Sequence, residues 1–212
     1  MEITDLAKAY RIETERCVIR CYQPEDVTKL HDAIRVSADH LRPWLPFMAQ
    51  EPKDLETRAA MIRQFRGKFD LGMDYVFGIF DKSEQNLVGS TGLHTRVGKN
   101  AREIGYWVHA GYAGKGYTTE VVSALTRVGF SIERLSRIEI RVDPRNVKSR
   151  RIPLKLGYTM EEIISDETFG EKRDLMIWAL SRARFEHSPL RKTALRAFDF
   201  QGKEITIKDG EH

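Results

Sequence analysis

The sequence predicts one α/β domain, a mixed central sheet of about seven strands with helices on both faces, followed by a C-terminal hairpin. Three observations carry this. The hydrophobic periodicities run β, α, α, β, β, β, α, β, α, β, β. That order is neither strict βα alternation nor a purely antiparallel series, and a mixed sheet covered on two sides accommodates it. The length, 212 residues, suits one domain with a short appendage. The composition shifts at Ser181, which divides the chain into a domain over residues 1–184 and an extension over 185–212.

Residues 17–22 form the first strand candidate, with Cys17, Ile19 and Cys21 alternating with Val18, Arg20 and Tyr22. Gln23-Pro24-Glu25-Asp26 breaks it and starts a helix: proline fits a first turn, and the two acids fit its positive end. Val27, Leu30, Ile34 and Ala38 continue at helical spacing. Residues 41–48, with two prolines and two large aromatics, read as a loop, and a second helix spans about 55–69 with Met61, Ile62, Phe65 and Phe69 apolar. Three strands follow at 75–80, 87–94 and 103–108, joined by polar loops at 81–86 and 97–101. A glycine-rich stretch, 111–116, leads into a helix over about 119–134. Residues 137–142 alternate as a strand. A turn at Asp143-Pro144-Arg145-Asn146 precedes a short helix ending at Leu156-Gly157, and strands at 158–164 and 174–180 complete the body. Beyond a polar linker, two short apolar runs at 195–200 and 204–207 flank Gln201-Gly202-Lys203 as a hairpin outside the main domain.

The net charge of +4 is mild and its basic residues are dispersed, which gives no argument for a nucleic-acid partner. No apolar run reaches the ~18 residues of a membrane span. Residues 1–10 carry Glu2 and Asp5 and no apolar core, so they do not read as a signal peptide. Cys17 and Cys21, on one strand face, lie about 13 Å apart at ~3.3 Å per residue, too far for a disulfide. The expected setting is the reducing cytoplasm. No His, Cys, Asp or Glu spacing suggests a metal; His94 and His109 flank the central strands and read as structural.

The informative stretch is residues 103–120, EIGYWVHAGYAGKGYTTE. A strand, a glycine turn and a helix start together form an anion cradle, because glycine lets the backbone approach and a helix start offers unpaired N–H groups. Lys115 adds positive charge. The spacing excludes a P-loop, since Tyr117 follows Gly116, and a dinucleotide fingerprint, since position 119 is Thr119. Taken alone, Gly114-Lys115-Gly116 equally fits an ordinary turn.

The wider pattern resembles the acyl-CoA-binding motif of the GNAT superfamily, in its RimJ/RimL-like branch. The matching residues are Glu103-Ile104-Gly105-Tyr106-Trp107-Val108 and Gly114-Lys115-Gly116-Tyr117-Thr118-Thr119-Glu120. Ile12-Glu13-Thr14-Glu15-Arg16, Leu41-Arg42-Pro43-Trp44-Leu45-Pro46, Arg137-Ile138-Glu139, Asn146, Ser149, Lys155-Leu156-Gly157-Tyr158 and Arg173-Asp174 fall in the expected order. The resemblance spans about residues 13–180. It implies acetyl-CoA as cosubstrate, held by Gly114, Lys115, Gly116, Tyr117, Thr118 and Thr119 at its pyrophosphate. The backbones of Trp107 and Val108, together with Asn146, would hold the pantetheine arm; as the bland alternative, Asn146 is a turn residue. It implies Glu103 as base and Ser149 as partner of the departing thiolate; the alternatives are a strand charge and a helix cap. Asp166 and Glu167 fall in a loop where some relatives carry a base. Trp44, Phe47 and Met48 either line the acceptor pocket or plug the core. Two departures stand out: Ala113 lacks a side chain to brace the pyrophosphate, and Pro153 replaces a common tyrosine acid while leaving the Ser149 carbonyl without its helical donor.

The resemblance thus implies direct acetyl transfer to an amine in a ternary complex, the acceptor being a protein N-terminus or a small molecule. No metal, nucleic acid or membrane enters, and the tail is expected to dock on its own domain or on a second subunit, which would make a homodimer. The contrasting expectation is a non-catalytic acyl-CoA sensor or assembly protein.

Overall fold

The computed structural model describes residues 9–168 and 171–207. The signal-peptide reading, which rests largely on residues 1–8, and the last five residues of the extension lie outside this range. Among the described residues nine strands form one sheet in the order β7-β8-β6-β5-β4-β3-β2-β1-β9. They are β1 Arg11–Glu13, β2 Cys17–Cys21, β3 Tyr75–Asp81, β4 Leu87–His94, β5 Ala101–Val108, β6 Arg137–Val142, β7 Thr159–Thr168, β8 Glu171–Ser181 and β9 Arg196–Phe198. The helices are α1 Val27–Leu41, α2 Leu55–Asp70, α3 Tyr117–Ser131, α4 Val147–Lys155 and α5 Arg182–Glu186. The two strands beyond the seven of the main body are three-residue pieces, β1 and β9, that pair with each other.

Every neighbouring pair is antiparallel except β5 and β6. That parallel pair is joined through α3 and has only three register partners, Ala101↔Arg137 to Glu103↔Glu139. Beyond Glu103 the two strands part.

Alternation in β2 puts Cys17, Ile19 and Cys21 in one core and Val18 and Tyr22 in another. The first core lies under α3, with Val121, Val122, Leu125 and Val128 packed on Ile104, Ile138, Ile140 and Trp178. The second lies under α1 and α2, with Leu30, Ile34 and Ile62 packed on Val18, Phe80 and Leu87. Both cysteines are buried free thiols, and burial pushes each up to about 12.

The stretch after Ser181 is more ordered than its polar composition suggests. Phe185 of α5 stacks on Phe130 of α3 with centroids 4.6 Å apart, and Leu190 is also buried. The terminal hairpin is a short one that extends the main sheet: β9 pairs with β1, and Phe198 bridges Glu204. A two-stranded hairpin is marginal in water, so an existing sheet edge is where it gains stability. Among the described residues no helix is long and apolar enough to cross a membrane.

Candidate functional site

The glycine turn after β5 has the backbone a cradle requires. Gly114 and Gly116 sit at φ +75° and +84°, in the left-handed region that costs an L side chain about 1–2 kcal/mol. Gly116 caps α3, two residues earlier than the apolar periodicity suggests, and Tyr117 at the first helical position is half-buried against the core under α3. The Glu120 N–H makes the first helical bond, to the Gly116 carbonyl at 3.1 Å. The N–H groups of Tyr117, Thr118 and Thr119 therefore precede the intrahelical ladder at the positive end of a 15-residue helix. A Cβ built on Gly114 meets nothing within 4 Å, so the turn is open to a polyphosphate, and these residues fit one. Lys115 does not extend freely: its Nζ donates to the Gly111 carbonyl at 2.7 Å and closes the loop.

A brace invisible to local sequence holds the turn. Glu120 accepts from Thr14 Oγ1 at 2.6 Å and from the Arg16 main chain at 2.9 Å. Arg16 Nε donates to Glu120 at 2.6 Å and Nη1 to the Lys115 carbonyl at 2.9 Å. The guanidinium also covers the Tyr117 ring, 4.3 Å from its centroid. Burial raises the Glu120 pKa, but the bonds from Thr14 and Arg16 outweigh it and leave the carboxyl below its ordinary range. A second tie runs from the Ala110 N–H to Ser37 Oγ of α1, at 3.0 Å.

Ser149 lies in the first turn of α4, where Asn146 caps the helix by accepting from the Ser149 N–H at 3.0 Å. The Tyr106 hydroxyl, from β5, is 3.0 Å from Ser149 Oγ and 3.4 Å from the Ser149 carbonyl. Pro153 deprives that carbonyl of its usual helical donor, so the phenol faces two acceptors at once. Burial pushes Tyr106 up to about 12, with the Ser149 bond opposing, so it stays protonated at neutral pH. The tyrosine was legible only as a packed strand residue. The structure brings it together with Ser149 and Asn146.

Glu103 stands apart from this group. Alternation puts Glu103, Gly105 and Trp107 on the face of β5 opposite Tyr106, and Trp107 packs against the α1/α2 core while Tyr106 packs against the other. Both Glu103 oxygens are engaged: Arg96 Nε donates at 2.8 Å and Nη2 reaches the second oxygen, while Arg141 Nε lies 3.3 Å away. Directly opposite Glu103 on β4 is His94, whose Nδ1 lies 3.0 and 3.1 Å from the two oxygens of Asp74. Burial raises Asp74, and the His94 bond overrides it to leave the carboxyl below its ordinary value. Past Glu103, β5 has no β6 partner, so the main chains of Trp107 and Val108 border the gap between the strands.

Asp166 and Glu167 fall on β7 rather than in a loop, and Asp166 lies 3.8 Å from Arg173. Met48 is fully buried in the α1/α2 core with Phe47 against it, which makes these two plugs. Trp44 is half-buried, and its carbonyl accepts from Arg173 at 3.1 Å.

A parted strand pair with a glycine cradle at the foot of one strand and a hydroxyl beside it defines an acyl-transfer fold. The model of the acetyltransferase (GNAT) domain matches residues 16–159, and the chain belongs to this family of N-acetyltransferases, on its RimJ/RimL-like side. It is 27% identical over 178 residues to the [ribosomal protein uS5]-alanine N-acetyltransferase of Escherichia coli, covering 81% of this chain and 90% of that protein. It is 30% identical to the putative ribosomal N-acetyltransferase YdaF of Bacillus subtilis, covering 81% and 94% respectively. In fold it matches Mycobacterium smegmatis RimJ in complex with CoA-disulfide, with a TM-score of 0.73, 20% identity, and coverage of 88% and 92%.

Proposed function

We propose that the chain transfers the acetyl group of acetyl-CoA to the N-terminal amine of a ribosomal protein by direct attack in a ternary complex. The observation that carries this reading is the open cradle of Gly114, Gly116 and the start of α3, set beside the gap between β5 and β6. Acetyl-CoA supplies the acetyl group as a thioester. The N–H groups of Tyr117, Thr118 and Thr119 bind its pyrophosphate, and Lys115 shapes the loop around it. The main chains of Trp107 and Val108, with Asn146, line the pantetheine arm. Ser149 Oγ–H faces the sulfur and stabilises it as a thiolate. The Tyr106 hydroxyl lies 3.0 Å from Ser149 Oγ; donating to it, the phenol turns the serine proton outward and thereby serves where Pro153 leaves no tyrosine on the helix. The Escherichia coli relative is named for the alanine of ribosomal protein uS5 and the Bacillus subtilis one as a putative ribosomal N-acetyltransferase, so the alanine terminus of uS5 is the first acceptor to try. In the same reading residues 1–184 are the cytoplasmic catalytic unit and 185–212 an accessory edge.

The test is thiol release from acetyl-CoA with an alanine-initiated uS5 N-terminal peptide, run beside a panel of polyamines, amino acids and amino sugars. Turnover with the peptide is expected. Ser149→Ala and Tyr106→Phe should lower turnover about 100-fold or more while CoA still raises the melting temperature. A CoA-induced shift with no thiol release from any acceptor would overturn the enzymatic reading in favour of a sensor. Release with a small amine alone would overturn the ribosomal acceptor.

A further inference from the structure

The face of β5 turned away from Ser149 carries a second titratable pair. His94 sits at the end of β4, and its imidazole lies close over the opposed glycines Gly92 and Gly105. A Cβ on Gly92 would come within 2.7 Å of the ring's Nε2, and one on Gly105 within 3.0 Å. Any side chain at either position would displace the imidazole. The Asp74 carboxylate fixes the other nitrogen from the start of β3. In the neutral ring Nδ1–H donates to Asp74, which leaves the lone pair on Nε2. Among the described residues no protein group hydrogen-bonds to Nε2.

Its position matters as much as its tautomer. Nε2 lies over Gly105, two residues beyond the last β5–β6 pair at Glu103↔Glu139. That is where the strands have begun to part, and on the face of β5 opposite Tyr106 and Ser149. An incoming amine and a departing thiolate are separate substituents of the acetyl carbon, and the two faces of one strand offer a different set of side chains to each. The side chains of His94 and Asp74 are 18% and 27% exposed, open enough to meet an acceptor. Glu103 is 6% exposed and held by Arg96 and Arg141.

We propose that His94, oriented by Asp74, is the general base that deprotonates the acceptor ammonium, and that Glu103 instead anchors Arg96 and Arg141 at the mouth of the gap. This rests on the acetyl-transfer reading above. The N–H bond of the ammonium breaks and an Nε2–H bond forms. The neutral amine nitrogen then bonds to the acetyl carbon as the C–S bond breaks. The amine's second proton balances the one taken up by the thiolate, and imidazolium returns the first to solvent. The charged groups around the ring are Asp74 before β3, Arg96 after β4, and Glu103 with its partner Arg141 across β5 and β6.

The experiment compares wild type with His94→Gln, Asp74→Asn and Glu103→Gln, using the uS5 peptide and acetyl-CoA. Turnover of wild type should rise with pH, as an essential general base requires. His94→Gln should fall about 100- to 10,000-fold and keep only the steeper rise of the amine itself, with an unchanged CoA melting shift. Asp74→Asn should fall less and retain the imidazole limb. With hydroxylamine, already neutral at pH 7, His94→Gln should stay near wild type, and added imidazole should restore part of the peptide rate to His94→Ala. A His94→Gln profile unshifted and near wild type, with Glu103→Gln losing the limb, would overturn the assignment. Imidazole 15N shifts of the free protein decide independently of activity. A neutral His94 with its proton on Nε2 would also overturn it, and a proton on Nδ1 supports it even where the peptide is no substrate and only the acceptor reading fails.

Discussion

Gly114 and Gly202 form a matched pair that isolates the cradle. Both adopt positive φ, +75° and +77°, and a Cβ on either meets no atom within 4 Å. Alanine at either site therefore carries the same intrinsic cost, about 1–2 kcal/mol for the left-handed backbone. In a domain of this size that is a melting-temperature drop of roughly 2–8 °C. The two should differ only in the response to CoA. At ~100 times its dissociation constant, a ligand bound only to the native state adds about 2.7 kcal/mol, a rise of roughly 5–11 °C. Gly202→Ala, in the terminal turn, should keep all of that rise. Gly114→Ala should lose most of it, because the new methyl stands in the open space that the cradle reading gives to the polyphosphate. Thermal melts of three proteins with and without CoA suffice. Equal CoA-induced rises in both variants would refute the cradle.

The docking of α5 and the brace at the turn give two further expectations. Phe185→Ala removes a ring that is 2% exposed and stacked on Phe130, and should cost roughly 3–5 kcal/mol; a melting temperature within 2 °C of wild type would show that α5 is not part of the core. Because the folded-state pKa of Glu120 is depressed, its contribution is present above the ordinary carboxylate pKa and is lost as pH falls through the folded one. Glu120→Gln should therefore be less stable than wild type at pH 7 and converge on it in acid, whereas parallel stability curves would show the brace to be inert.

What local pattern could reveal depended on distance along the chain. Strands β3 to β5 and their polar turns were legible because residues 75–108 alternate and the turns carry their own chemistry. The cradle was legible because glycine spacing records a backbone conformation. The tail was legible as a short hairpin but its docking was not, because β9 is only three residues long, and Phe185 and Leu190 stand singly among charges, too sparse for a periodic signal. Side-chain partnerships were hidden most. Glu120 reads as a helix-start acid until Arg16, 104 positions away, is brought to it. His94 reads as a lone histidine until the β3–β4 register delivers Asp74. Glu103 was visible as a carboxylate in the right motif, but the two guanidinium groups that claim it depend on tertiary placement.

The meeting of β5 and β6 through three residue pairs divides the sheet into two blocks, each sewn together by longer antiparallel ladders. Mechanically the molecule has a crease along its middle. Bending there disturbs few backbone bonds, whereas bending between β2 and β5 or between β6, β8 and β7 would break longer ladders. A long, thin molecule lying in the crease touches both blocks and acts as a splint, stiffening parts of the chain it never contacts. Within the main body of the sheet this short seam is thus also the place where occupancy has leverage over rigidity.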